Sequence, residues 1–525
     1  MASELKQRIP KPASSSDDEP DRPASDRPDT PQSPVDGDDP SRSENSPQPL
    51  ERHPESETDT DQRNPASKSR KKPAYFSHTF LIHTVIRSSP LSSESPEQNY
   101  RGFYNLTVLC LFVLNVRLVI ENYQKYGFLL QFPTIGAHSN DLFFCLLAFP
   151  FMAGSVFVAL ALEKNASKKL DPRNPTPTAV WLSHWANITL ALATPTLISW
   201  FLIWHPAIAA VPVFAATILF LKLISYMLVC AELRREMAQK IHPTRYEDRN
   251  ARQFEVSEPV DFDIDQVPYP SNITLGNLLY FVAAPTLVYQ PSYPRSAKFS
   301  KSELVKRVME LTMALFGMYF LTHQYMAPTL RNSLTALDEL SALKLTERIL
   351  KLSIINVLVW LLMFYAFFHS FLNLNAEILG FGDRRFYQSW WNATDIAEYW
   401  RLWNSPVYNW GKRHVYLPLV INYKVPPVVA SVVIFLISAV LHELIIGVPV
   451  HSISGLAFWG MLGQIPLIFL TKWLMAIRSL RFNRRKKLFD TIGNLVFWIS
   501  FTIVGQPTAI LLYYSTWYRQ NVINT

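Results

Sequence analysis

Hydrophobic and polar positions are distributed very unevenly along the 525 residues. From about residue 103 onward, apolar runs of roughly twenty residues recur, each long enough to cross the hydrocarbon core of a bilayer as a helix. They lie near 103–121, 142–162, 178–203, 207–230, 310–327, 350–373, 427–447, 454–475 and 492–517. The pattern predicts an all-α polytopic membrane protein of about nine transmembrane helices, with amphipathic helices on the cytosolic side. A second topology merges the third and fourth runs into a re-entrant pair, since little more than His205 and Pro206 interrupts them. Residues 1–95 are the opposite: Ser, Pro, Asp, Glu and Arg dominate, so the segment cannot bury enough apolar surface to offset ordering entropy. They read as a disordered cytosolic tail without the features of a secretory leader, followed by a membrane-embedded domain over 96–525.

Charge orients these spans. Lys164, Lys168, Lys169 and Arg173 follow the second run, Arg234 and Arg235 the fourth, Arg384, Arg385, Lys412 and Arg413 the sixth, and Arg478, Arg481, Arg484, Arg485, Lys486 and Lys487 the eighth. Because basic short loops stay in the cytosol, the N-terminus is expected there and the C-terminus in the lumen. The formal net charge of +8 is then a signature of basic cytosolic loops rather than of nucleic-acid binding. Cys110, Cys145 and Cys230 lie in apolar runs without metal or redox spacing, and no metal site is expected. No repeat of matching length relates the two halves, which argues against a transporter built from inverted repeats. The sequons at Asn105, Asn165, Asn187, Asn272 and Asn392 fall in spans or on the cytosolic side, where no glycosylation is expected.

An ionisable residue inside a span is costly and marks a candidate for function. His442, deep in the 427–447 run, is the foremost; on a helix it shares a face with Ser438, whereas Glu443 turns about 100° away. A buried neutral imidazole suits the removal of a proton from a hydroxyl that attacks a thioester. The alternative is a packing histidine bonded across the bundle. Asn404, Gln464 and Gln506 are amides able to donate to a developing oxyanion without adding charge, or else to cap and pack helices. The aromatic stretch from Phe386 through Trp410 reads as an interfacial belt, and Lys412, Arg413, His414 and Tyr416 beyond it offer partners for a nucleotide-bearing substrate. Gly-rich phosphate loops, zinc motifs and a serine nucleophile elbow are missing. Residues 242–247 approximate a histidine-four-acid motif but carry Glu247 in place of Asp in a polar loop, and are set aside.

Phe386-Tyr387-Gln388-Ser389-Trp390-Trp391-Asn392 resembles the Phe-Tyr-X-Asp-Trp-Trp-Asn signature of the sterol and diacylglycerol branch of the membrane-bound O-acyltransferases. The resemblance continues through Trp403-Asn404-Ser405-Pro406-Val407, His442-Glu443 and Gly463-Gln464-Ile465-Pro466, and covers most of residues 90–520. Asn99-Tyr100-Arg101-Gly102, Tyr293-Pro294-Arg295-Ser296 and Gly505-Gln506-Pro507 are similar to segments of the type 1 diacylglycerol acyltransferase group. The resemblance implies an endoplasmic-reticulum enzyme of that fold, acting on acyl-CoA and diacylglycerol within the bilayer, without a resident cofactor. It also implies a homodimer or homotetramer formed through the N-terminal region. It assigns catalysis to His442, Asn404 and Gln506, and substrate contacts to Ser438, Tyr416, Glu443, Gln464, Met461, Trp403 and Arg413. Ser389 departs from the signature, leaving any role of that carboxylate without a bearer. A sterol or long-chain alcohol acceptor is the alternative within the family, and a lipid transporter or scramblase the alternative outside it.

Overall fold

Apolar runs that must satisfy every backbone group internally fold as helices, and among the described residues there is no strand beyond two isolated bridges. The computed structural model describes residues 101–130, 138–241, 267–296, 298–339, 341–481 and 486–520. The expected tail at 1–95, the 242–247 stretch and the basic pair Arg484 and Arg485 lie outside them. The chain divides into two units, residues 8–115 and residues 116–525 with 1–7. Of the first, residues 101–115 are described, the opening half of α1 (Arg101–Tyr126).

Among the described residues seven helices are long and apolar enough to cross a membrane: Asn105–Tyr126, Ser139–Lys168, Thr178–Leu202, Pro206–Ile241, Ala342–Leu379, Pro427–Gly447 and Asp490–Tyr518. They coincide with seven of the nine expected runs. The run at 310–327 is also helical but belongs to a longer rod, α6 (Lys301–Leu321) and α7 (Ala327–Asp338), joined by a π-helical turn at Thr322–Met326. Charged residues crowd its opening turns, Glu303, Lys306, Arg307 and Glu310 among them. The run at 454–475 breaks at Gly463 into α14 (Leu456–Leu462) and α15 (Gln464–Arg481).

The helices α2 (Ser139–Lys168), α3 (Thr178–Leu202) and α4 (Pro206–Ile241) pack as one group. At one end Asp141 accepts the backbone N–H groups of Trp204 and His205 and so pins the short α3–α4 turn. With 25 and 36 residues, α3 and α4 are each long enough to span rather than to re-enter. At the other end buried Glu163 pairs with Arg234, lies 3.6 Å from His184 and accepts the Tyr269 hydroxyl at 3.0 Å. Midway, buried Lys222 donates to the carbonyls of Phe281, Val282 and Ala284 at 2.6–2.9 Å, closing the orphan C-terminus of α5 (Leu275–Ala283).

A second group is built on α8 (Ala342–Phe364), continued by a π-helical turn at Tyr365–Phe371 into α9 (Leu372–Leu379), and packed on α6 and on α17 (Gln506–Tyr518). Gly380 ends α9 in the left-handed region (φ +60°), which a side chain there would strain. The chain then passes through the aromatic segment, α10 (Ile396–Leu402), α11 (Ser405–Gly411), a π-helical turn at Lys412–Tyr416 and α12 (Leu417–Ile421) to reach α13 (Pro427–Gly447).

Candidate active site

Two constellations emerge, one on α13 and one on the aromatic segment. On α13 the His442 Nδ1 lies 2.7 Å from the Ser438 carbonyl, with the Ser438 hydroxyl at 3.3 Å. A carbonyl only accepts, so in the neutral ring Nδ1 carries the hydrogen and Nε2 keeps its lone pair. Ser431, Phe435, Ser438 and His442 follow one another at steps of four, three and four, and therefore share a helix face. Ser431 and Phe435 line an apolar groove of about 90 Å³ closed on its other side by Ile465, Ile468, Phe469 and Lys472 of α15. The groove runs along the histidine's own face.

Glu443 serves the opposite purpose. Its Oε1 accepts from the Gly455 N–H at 2.8 Å, and its Oε2 from Ala457, Phe458 and the Tyr513 hydroxyl at 2.9–3.1 Å. The carboxylate thus caps α14 and ties α13 to α17, so the structure gives it protein partners at both oxygens. Gly447 makes the loop's approach possible, because a Cβ there would meet the Ser452 carbonyl at 2.8 Å and Glu443 at 3.3 Å. Met461 is buried on α14, and Gln464 opens α15 with its amide 3.4 Å from the Gly460 carbonyl. Gln506 opens α17, but its carbonyl accepts from Asn356 of α8 at 2.9 Å, and no hydrogen bond joins it to His442.

In the aromatic segment, the Phe386 carbonyl accepts from Ser405 (3.0 Å) and the Gln388 N–H donates to Leu402 (2.8 Å), so the signature lies against Trp403 and Asn404. Asn404 caps α11, its side chain accepting from Val407. Trp390 and Trp403 pack with Trp360, Phe364 and Tyr399, ring to ring, at 4.9–6.3 Å. Phe386 is buried with them, while Trp391 is exposed and Asn392 lies at the surface. Ser389, where the signature has Asp, is exposed and its side chain caps nothing. The two constellations meet where Trp400 packs edge-on against Phe435 at 6.0 Å.

Beside the signature opens a polar cavity of about 430 Å³ lined by Asp383, Arg385, Gln388, Arg401, Ser405, Tyr408, Asn409 and Lys412. Three cations face one acid there, which favours an anionic occupant. The Ser405 hydroxyl is buried without a partner. In the sequence Arg385 is only an orientation signal and Lys412 a candidate partner for a nucleotide-bearing substrate; the cavity that unites them depends on the fold. Arg413 is exposed, and Tyr416 is buried with its hydroxyl unpartnered. Next to them His414 Nε2 hydrogen-bonds the hydroxyl of Ser225 (2.7 Å), which also accepts from the Tyr289 N–H (2.8 Å). Burial and the neighbouring Arg413 push His414 down to about 4, so it is neutral. Neither Ser225 nor Lys222 carries a sequence signal beyond being polar within a span.

Residues 188–515 match the membrane-bound O-acyltransferase family. The chain belongs to that family. It is 37% identical over 441 residues to diacylglycerol O-acyltransferase 1A of Glycine max, covering 82% of this chain and 81% of that one. To diacylglycerol O-acyltransferase 1-2 of Oryza sativa subsp. japonica it is 38% identical over 439 residues, covering 82% and 85%. To diacylglycerol O-acyltransferase 1 of Arabidopsis thaliana it is 37% identical over 442 residues, covering 82% and 76%. Within its family the chain stands with the type 1 diacylglycerol O-acyltransferases.

Proposed function

We propose that this enzyme transfers a fatty acyl group from acyl-CoA to the free hydroxyl of 1,2-diacylglycerol, making triacylglycerol and releasing coenzyme A, with His442 as general base inside the membrane. The observation that carries the reading is the 2.7 Å contact of His442 Nδ1 with the Ser438 carbonyl: it commits Nδ1–H to Ser438 and leaves Nε2 to accept a proton. In the reaction Nε2 takes the hydroxyl proton as the oxygen attacks the thioester carbonyl. The tetrahedral intermediate collapses, the C–S bond breaks, and the proton passes to the departing thiolate. Amide donors from Asn404, Gln464 or Gln506 would face the oxyanion. The groove on the histidine's face suits a few methylenes of an acyl chain, and the cationic cavity at Arg385, Arg401 and Lys412 suits the phosphates of coenzyme A. Both lipids reach such a site without leaving apolar surroundings. We further place the enzyme in the endoplasmic reticulum, N-terminus cytosolic, as a homo-oligomer joined through its N-terminal region.

The reading is tested by offering purified protein labelled oleoyl-CoA with diacylglycerol, a sterol, monoacylglycerol and a fatty alcohol together. Triacylglycerol is expected as the main product. Preferential formation of a sterol or wax ester overturns the acceptor, and the absence of any ester from intact protein overturns the reaction.

A further inference from the structure

A hydrogen-bonded chain outside the catalytic constellation leads from a charged surface to the signature. Arg307 of α6 lies 2.6 Å from His369 Nε2, and the same guanidinium holds Glu310 at 2.7 Å and Glu303 at 3.3 Å. On its other side His369 Nδ1 lies 2.7 Å from the Tyr387 hydroxyl. An arginine only donates, so Nε2 accepts, and Nδ1 carries the hydrogen that it gives to Tyr387. The direction of the chain is fixed by its first member.

His369 stands in the π-helical turn between α8 and α9, stacked on Tyr365 at 4.9 Å. Such turns recur where a side chain is aimed for a purpose. What it aims at is a residue flanked by two backbone hydrogen bonds: Phe386 before Tyr387 receives Ser405, and Gln388 after it donates to Leu402. Gln388 and Ser405 are themselves walls of the polar cavity. One hydroxyl therefore anchors the segment on which that wall depends. No step of acyl transfer uses Arg307 or His369.

We propose that Arg307 and His369 are positioning residues that set the affinity for acyl-CoA by holding Tyr387, and with it the Gln388–Ser405 wall of the cavity, in register. The inference rests on the reading of that cavity as the site of the coenzyme A phosphates. A slack wall lowers the fit of the nucleotide and leaves the His442 chemistry intact, so the effect falls on KM and spares kcat.

The experiment is steady-state kinetics of purified full-length variants with diacylglycerol and graded oleoyl-CoA. For the loss of a charge-assisted contact, His369→Leu is expected to raise KM for oleoyl-CoA about tenfold with kcat within about twofold. His369→Gln, whose amide accepts from Arg307 and donates to Tyr387, is expected to restore KM to within about twofold of the parent. Tyr387→Phe is expected to resemble His369→Leu, and the double variant to be no worse than either. Additive effects, or a fall in kcat that His369→Gln does not recover, overturn the proposal. Arg385→Ala separates the two levels. A raised KM in Arg385→Ala with an unchanged KM in His369→Leu overturns the positioning chain alone, whereas an unchanged KM in Arg385→Ala overturns the cavity reading and this inference with it.

Discussion

Replacing Glu443 with alanine separates the architecture of the site from its chemistry. The carboxylate receives three backbone N–H groups at the start of α14 and the hydroxyl of Tyr513, and it is only 8% exposed. The Ala457 N–H keeps the Tyr513 hydroxyl as a second acceptor at 3.0 Å; a buried donor left without its acceptor costs about 1–3 kcal/mol, and the other three, partly relieved by relaxation and by the proximity of the loop to solvent, cost about 2–5 kcal/mol. Glu443→Gln keeps one acceptor oxygen but turns an amide N–H₂ toward one donor, so its loss is about 1–3 kcal/mol. Because Glu443 is rotated about 100° from His442 on α13, neither change removes the base. Thermal unfolding of the purified protein should therefore fall in the order parent, glutamine, alanine, while acyl transfer per folded molecule remains measurable in both variants. An alanine variant as stable as the parent, or one fully folded yet inactive, would refute the capping argument.

Lys222→Met should destabilise more than a surface lysine change, because three carbonyls at the end of α5 lose their donor; differential thermal stability in detergent checks it. The depressed His414 binds its proton near 4 when folded and near 6.5 when unfolded, so its contribution to stability is complete above 6.5 and declines as pH falls from 6.5 to 4. Chemical denaturation across that window should show the loss, and His414→Gln should flatten it. Deleting residues 1–70 should preserve catalysis while changing the oligomer distribution or the response to acyl-CoA, read by light scattering beside the activity assay; a well-folded, inactive truncation contradicts a merely regulatory tail.

Local features of the sequence were enough to locate the helices and the foremost candidate. Twenty apolar residues in a row have few alternatives to a helix, and a lone histidine among Val, Leu and Ile announces itself. The rotation between His442 and Glu443 follows from helix geometry alone, and the capping contacts of Glu443 give that rotation a purpose. Hydropathy does not show where an apolar run is not one straight helix: the 454–475 run breaks at Gly463, and the 310–327 run is a piece of the rod that continues to Asp338. The cavity was illegible for another reason. Asp383 and Lys412 are 29 positions apart (412 − 383), and only the pairing of Phe386 with Ser405 and of Gln388 with Leu402 brings the intervening chain back on itself. Partners still more distant, such as Ser225 with His414 or Arg307 with His369, have no local signature at all.

The most direct measurement is ester formation from labelled oleoyl-CoA and diacylglycerol by the purified His442→Ala protein, with the parent and Glu443→Ala run beside it and each checked for an intact oligomer. A base held through Nδ1 by the Ser438 carbonyl predicts triacylglycerol from the parent, reduced but measurable product from Glu443→Ala, and none above background from a folded His442→Ala. Triacylglycerol at the parent rate from His442→Ala would contradict the account.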